Sequence, residues 1–258
     1  MHNEPTIGDA FGELMRAALA EERGQGQRPT IGGQIPRPVI EIVERDDALI
    51  NGAPAARYLS PPEDWPDFER RALDRLDGRV LDIGAGAGRV ALALQERGVP
   101  VTGLDISPAS VEVARARGVR ETALATVDDH ARSGERYDAF ALFGNNIGLF
   151  GGRERAPVFL AALAAMARPG ALLVGQGMDP YGRADEVHNA YHARNRAAGR
   201  MGGQLRLRVR HRELATEWFD YLLCDPEELA GLVHGTAWRL ADIDEVDAPF
   251  YVATLRLG

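Results

Sequence analysis

Apolar positions along this chain fall into two spacings, and their alternation predicts the architecture. Over residues 7–22, Ile7, Phe11, Leu14, Met15, Ala18 and Leu19 recur at helical spacing, an amphipathic helix ended at Gly24. Between Gly24 and Pro38 the chain holds four glycines and three prolines, which predicts a loop or hinge. Val39–Val43 reads as a short strand, and Asn51-Gly52 is a turn signal. A helix is expected with Pro66 in its first turn, running through Phe68, Leu73 and Leu76.

From residue 79 the pattern becomes regular. Strands are predicted at Val80–Ile83, Val101–Asp105, Glu121–Val127, Tyr137–Phe143 and Ala171–Gly175. Between them lie helical stretches through Val90, Leu92 and Leu94, over Pro108–Arg117 with Ser107 as cap, and over Ala156–Met166, closed by Arg168-Pro169-Gly170. Strands alternating with helices predict an α/β protein with a parallel, doubly wound sheet. Residues 178–204 are polar with few apolar positions. Leu205–Arg212 then alternates strictly, Leu205, Leu207, Val209 and His211 facing one way and four arginines the other. The aromatic-rich run Thr216–Leu223 can pair with it as a hairpin. Pro226–Val233 reads as a helix capped by Asp225, and Trp238–Val246 and Phe250–Leu257 as two final strands.

Composition narrows the chemistry. The 258 residues carry 30 basic and 38 acidic side chains, and all 30 are arginine. Without a lysine there is no pyridoxal-phosphate or Schiff-base enzyme, no P-loop NTPase and no protein kinase. A net charge of −8 disfavours a nucleic-acid surface. Cys224 is the sole cysteine, so an intrachain disulfide and a multi-cysteine zinc site are excluded. No stretch approaches the roughly 20 apolar residues of a membrane span. The opening Met-His-Asn-Glu-Pro has no charged-then-apolar pattern, so a cytoplasmic location without membrane or nucleic-acid partners is expected.

The main chemical signal is Val80-Leu81-Asp82-Ile83-Gly84-Ala85-Gly86-Ala87-Gly88-Arg89. Glycines at the end of a first strand let the backbone turn sharply and let a ligand approach the main chain. A dinucleotide motif, Gly-x-Gly-x-x-Gly, would place its third glycine where Arg89 stands. The glycines at 84, 86 and 88, with Asp82 two positions before them, instead resemble the first motif of the class I S-adenosylmethionine-dependent methyltransferases. Asp105, ending the second strand 21 residues after Gly84, stands where that family places the acid for the ribose hydroxyls. Ser107-Pro108 opens the next helix in the same manner. The resemblance covers roughly residues 58–178 and the closing strand pair.

The resemblance implies a Rossmann-like, doubly wound seven-stranded sheet, mostly parallel with an antiparallel C-terminal strand, plus an N-terminal lid and a β-hairpin insertion. It divides the chain into a helical lid or arm over 1–60 and a methyltransferase domain over 61–258, with a substrate-lid insertion at 178–223. It implies S-adenosylmethionine as cofactor. Gly84, Ala85, Gly86 and Gly88 would border its methionine part, Asp82 its amino group, and Leu104 or Ile106 the adenine. Tyr58, upstream of the glycines, would lie against it. Relatives often carry Gly-Asp-[Ala/Val] after the third strand. Here Thr126, Val127 and Asp128 occupy that place, and either Thr126 or Asp128 would meet the adenine. In Gly144-Asn145-Asn146 after the fourth strand, Asn145 would face the cofactor and Asn146 the substrate, and neither matches the Asn-Pro-Pro-Tyr type used on DNA bases.

The insertion supplies the candidates for acceptor chemistry. His188 and His192, four apart, share one helical face, and with His211 they are the candidate general bases. No third ligand accompanies the pair, so no metal is expected. Asp179, Tyr181, Tyr191 and Arg208 are candidate substrate contacts. Eight arginines crowd residues 183–212 against two acids, Asp185 and Glu186. They form either an anion-binding surface, implying an anionic small acceptor, or the solvated face of a half-buried strand. The expected activity is methyl transfer to an O, N or C atom of a small molecule, in secondary metabolism, by a monomer or homodimer. The alternatives are a non-methylating relative that keeps the cofactor as scaffold or sensor, and an NAD(P)-dependent oxidoreductase.

Overall fold

The structure is a computed structural model that describes residues 4–24, 38–182, 185–245 and 249–258. In chain order it contains β1 (Thr6–Ile7), α1 (Ala10–Glu22), β2 (Ile40–Arg45), β3 (Ile50–Pro54), α2 (Asp67–Leu73), β4 (Val80–Ile83) and α3 (Arg89–Glu96). There follow β5 (Val101–Asp105), α4 (Pro108–Arg117), β6 (Glu121–Leu124), α5 (Val127–His130), β7 (Tyr137–Leu142), α6 (Arg155–Met166) and β8 (Ala167–Met178). The last third holds α7 (Glu186–Ala197), β9 (Gln204–His211), β10 (Leu214–Ala215), β11 (Phe219–Leu222), α8 (Pro226–Val233), β12 (Trp238–Glu245) and β13 (Phe250–Leu257).

Among the described residues the strands form two sheets. The larger has seven strands in the order β12-β13-β8-β7-β4-β5-β6. The pairs of β4 with β5 and β7, β5 with β6, and β7 with β8 are parallel, whereas β13 runs antiparallel to both its neighbours. Its central strands are buried on both faces, which is why they read as short apolar runs. Period-two alternation divides their side chains between two cores. Leu81, Ile83, Phe140 and Leu142 pack on one side with Phe159, Leu160 and Leu163 of α6. Val80, Ala139 and Ala141 pack on the other with Val90 and Leu94 of α3. Chain order reverses beside β4, where β5 and β6 extend one way and β7 and β8 the other. Ligands bind beyond the strand ends at such a switch point.

The second sheet was not foreseen as a unit. Its order is β1-β10-β9-β2-β3, with β11 also paired to β9. The N-terminal segment is therefore more than a helix, since its hairpin β2–β3 joins the insertion strand β9 in a single sheet. The reversal in that hairpin also lies elsewhere than at Asn51-Gly52, which are inside β3. It falls at residues 46–49, where Arg45 N–H donates to Leu49 O (2.8 Å) and Ala48 takes φ +69°.

Smaller boundaries shift as well. Pro66 is the N-cap of α2 and not its first turn, and the helix ends at Leu73. β6 ends at Leu124 because Thr126 turns the chain into α5 by capping it. β8 begins at Ala167, taking in Arg168-Pro169-Gly170. The polar stretch 178–204 holds the helix α7. Most of the expected hinge between Gly24 and Pro38 lies outside the described residues.

Candidate active site

The turn after β4 carries the glycine motif. Gly84, Gly86 and Gly88 all have positive φ (69°, 55° and 77°), which side-chain-bearing residues adopt at a cost. Gly88 opens α3, and a Cβ there would lie 2.5 Å from Val119 Cγ2, so no other residue fits. Arg89, where a dinucleotide motif would need glycine, is pinned by Glu69 at 2.7 Å and stacks on the Trp65 ring at 4.4 Å.

Two buried carboxylates flank this turn. Asp82 in β4 is 2% exposed, and its Oδ2 is buried without a hydrogen-bond partner. Burial pushes its carboxyl up to about 7 against the pull of the Arg89 guanidinium, with Asp105 adding to the rise. Asp105, at the end of β5, accepts from Gly86 N–H at Oδ2 and from Ser107 N–H at Oδ1, both at 2.8 Å. Burial raises its carboxyl too, although the two backbone donors oppose it. Beyond these bonds each carboxylate oxygen keeps a second lone pair for a ligand hydroxyl. Ile106 is 72% exposed and Leu124 52%, so two large apolar side chains stand open beyond the ends of β5 and β6. Thr126 caps α5, accepting from Asp129 N–H at 3.0 Å, while Asp128 is held by Arg155 at 2.6 Å. Val127, between them, is buried.

The segment after β7 closes the other side. Gln176 Oε1 accepts from Gly144 N–H (3.0 Å) and Asn145 N–H (3.3 Å), fixing Asn145 at φ +69°. Asn145 Oδ1 is buried without a partner, like Asp82 Oδ2. Asn146, expected on the substrate side, reaches back to the glycine turn, donating to Ile83 O (3.0 Å) and Gly84 O (3.3 Å).

Above this floor lies one face of the second sheet. Tyr58 donates to Glu41 Oε1 at 2.8 Å and accepts from Arg57 at 2.9 Å, and Arg57 also pairs with Glu41 Oε2. Burial and the Glu41 carboxylate hold the Tyr58 phenol above its ordinary value. The Phe11 ring meets Tyr58 edge-on at 5.3 Å, and a Cβ at Gly86 would lie 3.7 Å from Phe11. Tyr221, its phenol also raised by burial, donates to Asn145 O at 2.6 Å. Sequence reasoning missed Glu41, Arg57, Gln176 and Tyr221. The one available signal was Glu41 at an alternate position among the apolar residues of β2.

The candidate histidines separate. Ile42 pairs with Arg210, so the next position outward sets His211 on the face of Glu41. Burial lowers His211, with Arg212 adding to the effect. His188 and His192 gather instead at the far end of β2, about 13 Å along the strand. There His188 Nδ1 is 3.0 Å from Arg45, and the two histidine rings stack at 6.5 Å. Burial lowers His192, which also meets the Tyr181 ring edge-on at 5.3 Å. Tyr191 donates to Asp46 (2.7 Å), Tyr181 to Glu228 (2.7 Å), and Asp179 accepts from Tyr181 N–H (2.7 Å). Arg208 lies on the opposite face of β9 from His211, 2.8 Å from Glu44 and stacked on Trp218 at 4.6 Å. The alternation of β9 turns its arginines away from the glycine turn. Among the described residues no group of three His, Cys, Asp or Glu side chains is placed to hold a metal ion.

Known proteins agree with this geometry. Residues 80–170 match the family model of a methyltransferase domain. Over 80 residues the chain is 40% identical to a ubiquinone biosynthesis O-methyltransferase of Alkalilimnicola ehrlichii, covering 28% of this chain and 32% of that protein. The chain thus spans about a third of the length of that curated relative. Among solved structures, an S-adenosylmethionine-dependent methyltransferase from Bacteroides fragilis, in complex with S-adenosyl-L-homocysteine, covers 100% of both chains with TM-score 0.79 and 24% identity. CalS10 of Micromonospora echinaspora, an amino pentose methyltransferase, matches with TM-score 0.51 and 21% identity over 79% of this chain and 95% of its own. Residues 80–170 thus match a methyltransferase domain, within a chain that has the Rossmann-like fold of these solved structures.

Proposed function

We propose that this protein transfers the methyl group of S-adenosylmethionine to an oxygen or nitrogen of a small molecule. The observation that carries the reading is a pair of buried, unpartnered acceptor oxygens, Asp82 Oδ2 and Asn145 Oδ1, beside a glycine turn that Asp105 braces. Unsatisfied buried acceptors cost stability, and a ligand ammonium relieves that cost. Asp105 keeps lone pairs for ribose hydroxyls, and Ile106 and Leu124 offer apolar cover for a purine ring. When bound, the cofactor supplies a methyl on a sulfonium, already activated for displacement.

The chain's own part is placement and exclusion of water. In this reading the second sheet roofs the acceptor site. Val43, Leu205, Leu207 and Val209 give its inner face an apolar body, while Glu41, Tyr58, Tyr221 and His211 give it polar points. His211, kept neutral by burial, is the candidate to take a proton from the acceptor. The arginine row faces elsewhere, so a neutral acceptor bearing a hydroxyl or amine suits the face better than an anionic one. Calorimetry with S-adenosylhomocysteine and NAD tests the cofactor assignment, and NAD binding alone would overturn it. Label transfer from methyl-tritiated S-adenosylmethionine to a panel of neutral phenols, alcohols and amines tests the activity. Cofactor binding without transfer to any of these would favour a sensor or scaffold.

A further inference from the structure

The N-terminal arm is tied to the edge of the site, because Asp9, the cap of its helix, is hydrogen-bonded to the start of α4. Asp9 caps α1 through Oδ1, which accepts from Gly12 N–H at 2.9 Å. Its other oxygen serves a different helix: Asp9 Oδ2 accepts from Ser107 Oγ–H at 2.8 Å and from Ala109 N–H at 3.0 Å. Ser107 is itself the cap of α4, accepting from Ser110 N–H at 2.9 Å. One carboxylate therefore satisfies the N-termini of two helices 98 residues apart in sequence.

The contacts close a ring. Asp9 holds Ser107, Ser107 N–H holds Asp105, and Asp105 holds Gly86 N–H. Gly86 lies under Phe11, two residues after Asp9. The approach is close enough to demand glycine at position 12, where a Cβ would lie 2.3 Å from Ser107 Oγ and 2.6 Å from Ala109 Cβ. Behind the ring, Leu14, Met15, Ala18 and Leu19 pack with Val113 of α4 and Ala87 of the glycine turn. Arg117 also ties Ala87 O (2.7 Å) to Leu59 O (2.6 Å).

We infer that Asp9 is a positioning residue that makes the seating of α1 and the placement of the Asp105 carboxylate one cooperative event, so that the arm must lift for the adenosyl ligand to leave. The inference rests on the proposed cofactor reading. Because the ligand touching Asp105 and Gly86 reinforces the same ring, it also slows opening of α1, and by linkage seating of α1 tightens the ligand.

The test uses the full chain, S-adenosylhomocysteine as probe, and two variants that break the ring at different points. Asp9→Ser keeps a side chain able to cap α1 but is too short to bridge to Ser107 and Ala109. Gly12→Ala keeps the Asp9 side chain but sets a Cβ 2.5 Å from its Oδ2 and 2.6 Å from Ala109 Cβ, forcing α1 away from α4. Displacement of labelled S-adenosylhomocysteine gives the dissociation rate, and hydrogen exchange of residues 10–22 with and without the ligand gives the coupling. In the wild type the ligand is expected to slow exchange in 10–22. Both variants are expected to raise the dissociation rate at least tenfold and to abolish that slowing. A variant that only lowers Tm, with dissociation within twofold of wild type, would overturn the inference. So would a wild type whose 10–22 exchange ignores the bound ligand. A wild type that does not bind S-adenosylhomocysteine at all would instead overturn the cofactor reading, and this inference with it.

Discussion

Asp82 allows a quantitative test. Its carboxyl sits at about 7, raised from 3.8 chiefly by burial. A ligand ammonium seated against Oδ2 needs the ionised form, so binding below pH 7 must drive off a proton. The penalty factor is one plus the ratio of protonated to ionised carboxyl, about 33 at pH 5.5 and about 1.3 at pH 7.5. S-adenosylhomocysteine should therefore bind about 25-fold more tightly at pH 7.5 than at 5.5, since the α-ammonium of a free amino acid, made more basic by its own carboxylate, stays protonated over this range. Calorimetry in buffers of different ionisation enthalpy should detect close to one proton released per ligand at the lower pH. Asp82→Asn should bind weakly and without this pH slope. The ligand-free protein should show the opposite trend. A carboxyl raised by folding stabilises the native state most fully below pH 4, and that contribution is lost as pH rises through 7. Three units correspond to at most about 4 kcal/mol, so Tm should fall between pH 5 and 8, less steeply in Asp82→Asn. A wild-type affinity flat in pH, or a slope that survives in Asp82→Asn, would refute the placement of the ammonium.

Asp105→Ala should weaken S-adenosylhomocysteine at least tenfold by calorimetry, because it removes both the proposed ribose acceptor and the brace on Gly86 N–H; unchanged affinity would discard the assignment. Arg208→Ala should leave methyl transfer unchanged and cost about 1 kcal/mol in urea unfolding, since its partner is Glu44 on the outer face. A large rise in KM would restore Arg208 to the substrate. His211→Ala should reduce kcat with cofactor affinity intact, whereas His192→Ala should alter stability more than kcat. The reverse pattern would move the acceptor site to the Arg45 end of β2.

The central sheet was legible because burial on both faces leaves a mostly apolar signature in β4, β5 and β7, punctuated by glycines and caps whose chemistry is local. Asp82, Asp105, Ser107 and the glycine turn could be read for the same reason. The second sheet was not, since its strands come from three distant stretches and pair only in three dimensions. Its β2 also misleads. Ile40 is 38% exposed while Glu41 is 4% and Arg45 3%, so the strand buries two of its charges and exposes its first isoleucine. Such inversions of the local rule are expected where a polar site is being built. Asp9 fell inside the stretch read as helix, and nothing in its neighbourhood announced that it caps one helix and serves a second.

The crowded arginines have a physical explanation in this sheet. Its inner face is committed, in the proposed reading, to the acceptor site, and its outer face carries ion pairs. Arg208 and Arg210 pair with Glu44 across β9 and β2, Arg200 and Arg206 with Asp220 of β11, and Arg194 with Asp46 at the hairpin turn. Each of these ties an insertion residue to another strand or turn of the roof, and planar guanidinium forks hold such pairs in fixed geometry better than flexible ammonium groups. On this account the arginines concentrate between 194 and 210 because that segment must be fastened both to an N-terminal hairpin it meets only on folding and to its own strand β11. The fastening sets where Glu41 and His211 stand on the inner face of the sheet.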